Sequence, residues 1–107
     1  MLVYVSGPYR PITRKDCPAI SVEDNIEAAS QIAVQLWEKG HAVICPHANT
    51  AHFERRTADV TPEQYIQGDL NMIARCDALV MVPRWEESEG AAIEEAYARS
   101  LGIPIYH

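Results

Sequence analysis

The sequence predicts a three-layer α/β fold built around a four-stranded parallel sheet. Short apolar segments rich in β-formers alternate with segments whose apolar residues recur at helical spacing, in the order β-α-β-α-β-α-β. The connections are short, which favours parallel strands joined by right-handed crossovers, with helices on both faces of the sheet. The chain has 107 residues, enough for one hydrophobic core, so we expect a single domain over residues 1–107.

The first part of the chain predicts one strand, one loop and one helix. Residues 2–6 are apolar and β-rich, and a Gly-Pro pair ends this strand. Residues 11–20 contain two prolines and mixed charges, and they predict a loop. Ser21 with Asp24 three residues later predicts a capped helix start, and Gly40 is a typical C-terminal stop.

The rest of the chain predicts two further helices and three strands. Thr61 is followed by a proline and then by Gln64 at the third helical position, a pattern typical of a helix start, and Ser88 predicts another cap. Residues 78–82 form an apolar run typical of a strand buried on both faces. The predicted elements are a strand over 41–45, a loop with room for one helical turn over 47–60, a helix over 61–75, a strand over 77–83, a helix over 88–102 and a strand over 103–106.

The ends of the strands should carry the functional residues. Parallel sheets bind ligands beyond the carboxyl ends of their strands, where the strand order reverses. In this sequence those places follow Ser6, Cys45 and Val82.

Glu94 is a carboxylate on the wrong face of its helix. On a helical wheel it falls in the apolar stripe with Ala91 and Ala98, each within about 60° of it. Glu95 falls on the other side, where it can pair with Arg99 at i,i+4, and it is predicted to be an ordinary solvated residue.

Asp69 repeats this pattern on the preceding helix, in a stripe with Ile66 and Ile73. Desolvating an unpaired carboxylate costs several kcal/mol or makes it take up a proton, so two such acids favour function. The structural alternative is that each acid caps a loop or pairs with Arg10 or Arg84. Paired acids suit chemistry at an anomeric carbon, although the wheel leaves an ester or phosphate hydrolase open.

Several residues near strand ends are candidate ligand contacts. The helix start at Ser88 and Gly90 could hold a phosphate or a sugar hydroxyl, or could be a plain cap. Gly7 and Arg10 follow the first strand, where a ligand loop and a structural turn are both compatible with the sequence. His47 either lines the pocket or lies in a surface loop. The spacing of Cys45, His47 and His52 matches no standard zinc pattern, so we expect no metal and no cofactor.

Composition and charge favour a small-molecule partner. A net charge of −6 argues against long nucleic acid, and no apolar run reaches the roughly 20 residues needed to span a membrane. The three cysteines form no C-x-x-C pair, which favours reduced thiols and a cytoplasmic location.

The order and spacing of these motifs resemble the nucleoside 2-deoxyribosyltransferase-like family, which includes the 2'-deoxynucleoside 5'-phosphate N-hydrolases. The resemblance spans nearly the whole chain. It rests on Tyr4…Gly7…Arg10, on Asp69-Leu70-Asn71 and on Ser88-x-Gly90-x-x-x-Glu94.

The resemblance implies a Rossmann-like or flavodoxin-like sheet with strand order 2-1-3-4, in a homodimer or larger homo-oligomer. It implies that Glu94 is a nucleophile that forms a covalent deoxyribosyl intermediate. Asp69 would position the sugar and assist proton transfer to the base, and Tyr4 would hydrogen-bond near the nucleophile. The expected substrate is a nucleoside or its 5'-monophosphate. The residues expected to bind it are Ser6, Gly7, Arg10, His47, Ser88 and Gly90.

Two departures from the family pattern favour an alternative. Pro8 lacks a backbone N–H that could bind phosphate, and the sequence ends at His107 where family members continue. The alternative hypothesis is therefore a nucleotide-binding module that keeps the fold without the chemistry.

Overall fold

The secondary structure agrees with the predicted order of strands and helices and adds one hairpin. A computed structural model of the protein describes residues 1–14 and 17–107. Its strands are β1 (Leu2–Ser6), β2 (Ile12–Arg14), β3 (Cys17–Ile20), β4 (Ala42–Ile44), β5 (Ala78–Met81) and β6 (Ile105–Tyr106). Its helices are α1 (Val22–Glu38), α2 (Pro46–Asn49), α3 (Pro62–Ile73) and α4 (Glu89–Ser100), with short 3-10 turns at Phe53–Arg55 and Trp85–Glu87.

Four parallel strands form the central sheet in the order β4-β1-β5-β6. If the four strands of this sheet alone are numbered along the chain, their order is 2-1-3-4, which confirms the predicted fold. Helix α1 packs on one face of the sheet, and α3 and α4 pack on the other. The protein is therefore a three-layer α/β structure with β1 in the interior of the sheet.

Side chains alternate between the two faces along β1, as in any strand. Val5 packs beneath α1, whereas Tyr4 packs in the core cluster of α3 and α4. Ser6, two residues after Tyr4, shares the face of Tyr4 and is fully buried. The hydroxyl groups of Tyr4 and Ser6 thus face α3 and α4, the two helices that carry Asp69 and Glu94.

The predicted helix starts are confirmed. Ser21 and Asp24 form a reciprocal capping box at α1, and Thr61 and Gln64 form another at α3. The Ser88 hydroxyl accepts a hydrogen bond of 3.1 Å from the Ala91 amide at α4. Caps of this kind each contribute about 1 kcal/mol. Residues that can form them are therefore enriched at helix starts, and the sequence shows where the helices begin.

The prediction of a loop over residues 11–20 is wrong where the structure describes them, because Ile12–Arg14 and Cys17–Ile20 pair as the antiparallel strands β2 and β3. Residues 15 and 16 lie outside the described residues. Ile12 pairs with Ile20 and is buried, so an apolar contact holds the base of the hairpin. Pro18 is tolerated because a two-stranded ribbon has only edge strands, in which a missing backbone donor costs little.

The prediction that Glu95 is solvated is also wrong. Its hydrogen bond to Arg99 is present as predicted, but only 9% of its surface is exposed. The region predicted as a loop after β4 contains α2 and one 3-10 turn, in agreement with the room left for a helical turn. Cys45 and Cys76 are free thiols, and the side chain of Cys17 lies outside the described residues. Among residues 1–14 and 17–107, no helix is long and apolar enough to cross a membrane.

Candidate active site

Glu94 lies at the centre of a buried polar cluster between α4 and β1. Only 6% of its surface is exposed. The Ser6 hydroxyl donates to Oε1 of Glu94 over 2.7 Å, and the Tyr4 hydroxyl donates to Oε2 over 3.1 Å. Both carboxyl oxygens are thus oriented by hydroxyl groups on one face of one strand.

Asp69 brings a second carboxyl group from α3 to the same place. It is half-buried and interacts with both the Glu94 carboxyl and the Tyr4 hydroxyl. The helical wheel identified both acids separately, and the fold brings them together because α3 and α4 pack side by side on the Tyr4 face.

The environment favours the protonated carboxyl form. Burial raises the pKa of Glu94 to about 8, and the nearby charge of Asp69 adds to this increase, while the hydrogen bonds from Ser6 and Tyr4 oppose it. Burial likewise raises the pKa of Asp69. Burial, together with the two carboxylates, raises the pKa of Tyr4 well above its usual range, so Tyr4 is a neutral donor. Burial therefore shifts both carboxyl groups of the pair toward their protonated forms.

The alternative in which Asp69 and Glu94 pair with Arg10 or Arg84 is not observed in the described residues. Arg84 pairs with Glu87 three residues later in the turn before α4. Arg10 is exposed on the loop after β1. Among residues 1–14 and 17–107, neither Asp69 nor Glu94 forms an ion pair with an arginine. Within the described residues, hydroxyl groups of β1 rather than arginines stabilise the Glu94 carboxyl group.

Gly7 allows the ends of β1 and β5 to approach closely. A Cβ atom on Gly7 would lie 2.4 Å from the Cβ atom of Val82, far inside van der Waals contact. The Val82 amide also donates to the Ser6 carbonyl oxygen over 2.8 Å. These contacts fix Ser6 at the carboxyl edge of the sheet and give Gly7 a packing role. The predicted contact of Gly7 with a ligand stays a prediction.

His47 lies beside the loop after β1, and within the described residues no hydrogen bond or ion pair joins it to the carboxyl pair. It is 4% exposed, and its Nε2 atom lies 2.7 Å from the carbonyl oxygen of Pro8. Its ring also lies 6.1 Å from the Tyr9 ring. The surface-loop alternative for His47 is therefore wrong, while a contact with substrate stays a prediction.

The start of α4 is formed by Ser88 and Gly90, and the Ser88 hydroxyl serves as a helix cap. Just before it, Glu87 accepts from Arg84 and forms an ion pair of 2.7 Å with Arg14 of the hairpin. This contact ties β2 to the turn that leads into α4. The predicted phosphate contacts of Ser88, Gly90 and Arg10 stay predictions.

Asn25 is a residue of this region that the sequence analysis missed. Its side-chain amide donates to the carbonyl oxygens of Tyr9 and Arg10 over 3.1 and 2.9 Å. A signal existed, because Asn25 precedes Ala29 and Ala33 at intervals of four residues and so continues the apolar stripe of α1. Within the described residues, no group of three or more His, Cys, Asp or Glu side chains comes together as a metal site.

A family model described as a domain of unknown function, DUF4406, matches residues 1–107. The chain belongs to this family. A search of curated proteins found no match to the sequence.

A solved structure similar to this DUF4406 chain is the 2-deoxyribosyltransferase of the psychrotolerant bacterium Bacillus psychrosaccharolyticus. The two share 19% sequence identity with a TM-score of 0.62, over 98% of this chain and 69% of the other. At this level of identity the similarity establishes the flavodoxin-like three-layer fold.

Proposed function

We propose that this protein cleaves or transfers at the N-glycosidic bond of a nucleoside or its 5'-monophosphate, with Glu94 as the nucleophile. The observation that carries the proposal is the buried Glu94 carboxyl, which is oriented by Ser6 and Tyr4 and lies beside Asp69. Carboxyl pairs of this kind are suited to an oxocarbenium-like centre. The similarity to a 2-deoxyribosyltransferase supports the substrate class.

The proposed reaction has two balanced steps. In the first, a Glu94 carboxylate oxygen forms a bond to the anomeric carbon while the bond from that carbon to the base nitrogen breaks. The electron pair stays on the base, which receives a proton from the Asp69 carboxyl. In the second, water or another base attacks the anomeric carbon and releases Glu94, and Asp69 takes back the proton.

The hydroxyl groups of Tyr4 and Ser6 have a defined part in this scheme. They donate to the two oxygens of Glu94, so they favour its ionised form and fix its orientation toward the anomeric carbon. Their hydrogen bonds oppose the effect of burial on the pKa of Glu94. A nucleophile that would otherwise stay protonated is thereby ionised in part of the molecules at neutral pH.

The direct test is to incubate the protein with deoxynucleosides, ribonucleosides and their monophosphates and to quantify free base by chromatography. We expect release with the wild type and a loss of more than about a hundredfold in Glu94→Ala. Glu95→Ala is the matched control, because Glu95 is a buried glutamate of the same helix that pairs with Arg99. Full activity in Glu94→Ala, or no release from any substrate, would refute the proposal.

The second candidate, a nucleotide-binding module without chemistry, is favoured by one observation. Glu94 is only 6% exposed, and this burial raises its pKa to about 8, which favours a protonated carboxyl group that donates a hydrogen bond rather than acting as a nucleophile. This candidate predicts nucleotide binding by calorimetry that survives Glu94→Gln, with no free base released at any pH from 6 to about 9.

A further inference from the structure

The loop after β1 is held by its carbonyl groups. Three successive carbonyl oxygens, those of Pro8, Tyr9 and Arg10, accept hydrogen bonds from two buried side chains that lie outside the loop. His47 reaches it from α2, and Asn25 reaches it from the first turn of α1. Loops ordinarily leave such groups to water, so this degree of side-chain fixation needs a reason.

The geometry defines which chemical group each side chain must supply. A carbonyl oxygen only accepts, so the Nε2 atom of His47 carries the proton in its 2.7 Å contact with Pro8. Its Nδ1 atom is buried and has no partner in the described part of the chain. Asn25 uses the two hydrogens of one amide nitrogen for two neighbouring carbonyl groups.

The held loop starts at the site. Ser6 donates to Glu94, and the next residue, Gly7, is pressed against Val82. The chain then runs directly into Pro8 and Tyr9, whose hydroxyl group donates to Glu54 and accepts from the His52 amide over 2.7 Å. A sugar whose anomeric carbon meets Glu94 must therefore lie next to this loop.

We infer that Asn25 and His47 are positioning residues of the candidate site. By fixing three successive carbonyl groups, they hold the loop after β1 as a rigid wall against which the sugar and base of a nucleoside bind. The inference rests on the proposed function for the identity of the ligand. It goes beyond that proposal by assigning substrate affinity, rather than the chemical step, to two residues that do not touch Glu94.

The experiment combines two measurements on the full chain. Hydrogen exchange of the backbone amides of Gly7, Tyr9 and Arg10 reports the loop directly, and steady-state kinetics of base release separates KM from kcat. The variants are Asn25→Asp, which keeps the shape of the side chain and removes both donors, and His47→Leu. His47→Gln keeps a donor near the Nε2 position, and Asn49→Asp adds the same charge at an exposed site of α2.

We expect Asn25→Asp and His47→Leu to lose exchange protection in the loop and to raise KM about tenfold, with kcat and the pH profile of kcat little changed. His47→Gln should restore much of the protection and affinity, and Asn49→Asp should behave as wild type. Unchanged exchange, or unchanged KM in a folded variant with a mobile loop, would overturn the inference.

The two proposals can fail independently. If the wild type releases no base, the proposed function fails, and the dissociation constant of a nucleoside monophosphate from calorimetry takes the place of KM. If base is released and the variants change only the melting temperature, Asn25 and His47 are merely structural. A His47→Gln variant as impaired as His47→Leu would exclude the hydrogen bond to Pro8 as the cause.

Discussion

Glu94 receives two hydrogen bonds that favour its charged form, while its burial favours the neutral one. Burial has the larger effect, so the folded protein binds a proton at Glu94 that the unfolded chain releases. The ordinary pKa of a glutamate is near 4.3, and that of Glu94 is about 8. Between these values the folded state binds more protons, so its free energy of unfolding falls as the pH rises.

Replacing Glu94 by Gln should remove this pH dependence. Gln resembles the protonated acid, so Glu94→Gln should match wild-type stability at pH 4 and exceed it by about 2–4 kcal/mol at pH 9. Urea unfolding at several pH values measures the difference. Glu95→Gln, at the neighbouring residue, should show no gain. Equal stability of wild type and Glu94→Gln at pH 9 would mean that Glu94 titrates normally.

Ser6 should set the pH at which the proposed reaction begins. Its hydroxyl donates to Oε1 of Glu94 and lowers the pKa of that carboxyl, so Ser6→Ala should raise this pKa. We expect the rise of kcat/KM with pH to move about one pH unit toward alkaline values. Ser100→Ala, at the other end of α4, is the control, since its hydroxyl donates to the Tyr97 carbonyl oxygen. An unmoved profile would separate Ser6 from the ionisation of Glu94.

At the scale of elements, β1 and β5 meet where the site begins, and Gly7 is the residue that permits it. Gly7→Ala would force a Cβ atom against Val82, and overpacking of this kind costs about 1–3 kcal/mol. Chemical unfolding of Gly7→Ala, Val82→Gly and the double variant measures their coupling. We expect the second substitution to relieve part of the first. Strictly additive effects would show that the contact is not the cause.

The sequence predicts features that are determined within a single helix or strand. The caps at Ser21, Thr61 and Ser88 and the 3.6-residue period are encoded within one helix, so helix starts and the faces that carry Glu94 and Asp69 could be derived. Helical periodicity says which face a residue occupies and not what lies opposite. The hydrogen bonds from Tyr4 and Ser6 to Glu94 depend on how α4 packs on β1, about ninety residues away along the chain. Helical periodicity could not predict these contacts.

The errors have physical causes as well. The sequence does not predict the β2–β3 hairpin, because Pro18 is compatible with a strand only at an edge. A helical wheel places Glu95 in solvent because it assumes one buried face, whereas this residue is buried even though it pairs with Arg99. The contact of His47 with Pro8 has no signal in the sequence, because the turn into α2 is not periodic.

At the scale of the whole molecule, a second buried group opposes Glu94 in the pH dependence of stability. Burial lowers the pKa of His47, although its backbone hydrogen bonds partly offset this. Below the usual histidine pKa of about 6.5, the unfolded chain takes up a proton that the buried ring does not. Its contribution to stability is therefore lost as the pH falls, whereas that of Glu94 is lost as the pH rises.

His47→Gln should separate these two effects. The variant has no titrating ring, so the stability of wild type relative to His47→Gln should decrease as the pH falls from 7 to about 5. Thermal unfolding across this range is the measurement. His41→Gln is the control, because His41 lies at the surface beside the amino terminus. A constant difference between wild type and His47→Gln would mean that the buried ring does not resist protonation.

The alternation along β1 ties the proposed chemistry to the length of one short strand. Tyr4 and Ser6 both face Glu94 only because one residue separates them, and Val5 between them faces α1. Inserting or deleting a single residue there would exchange the faces, turning an aliphatic side chain toward the acid and a hydroxyl toward the opposite layer. Sequences that keep this site should therefore tolerate length changes in the β2–β3 hairpin and none within β1.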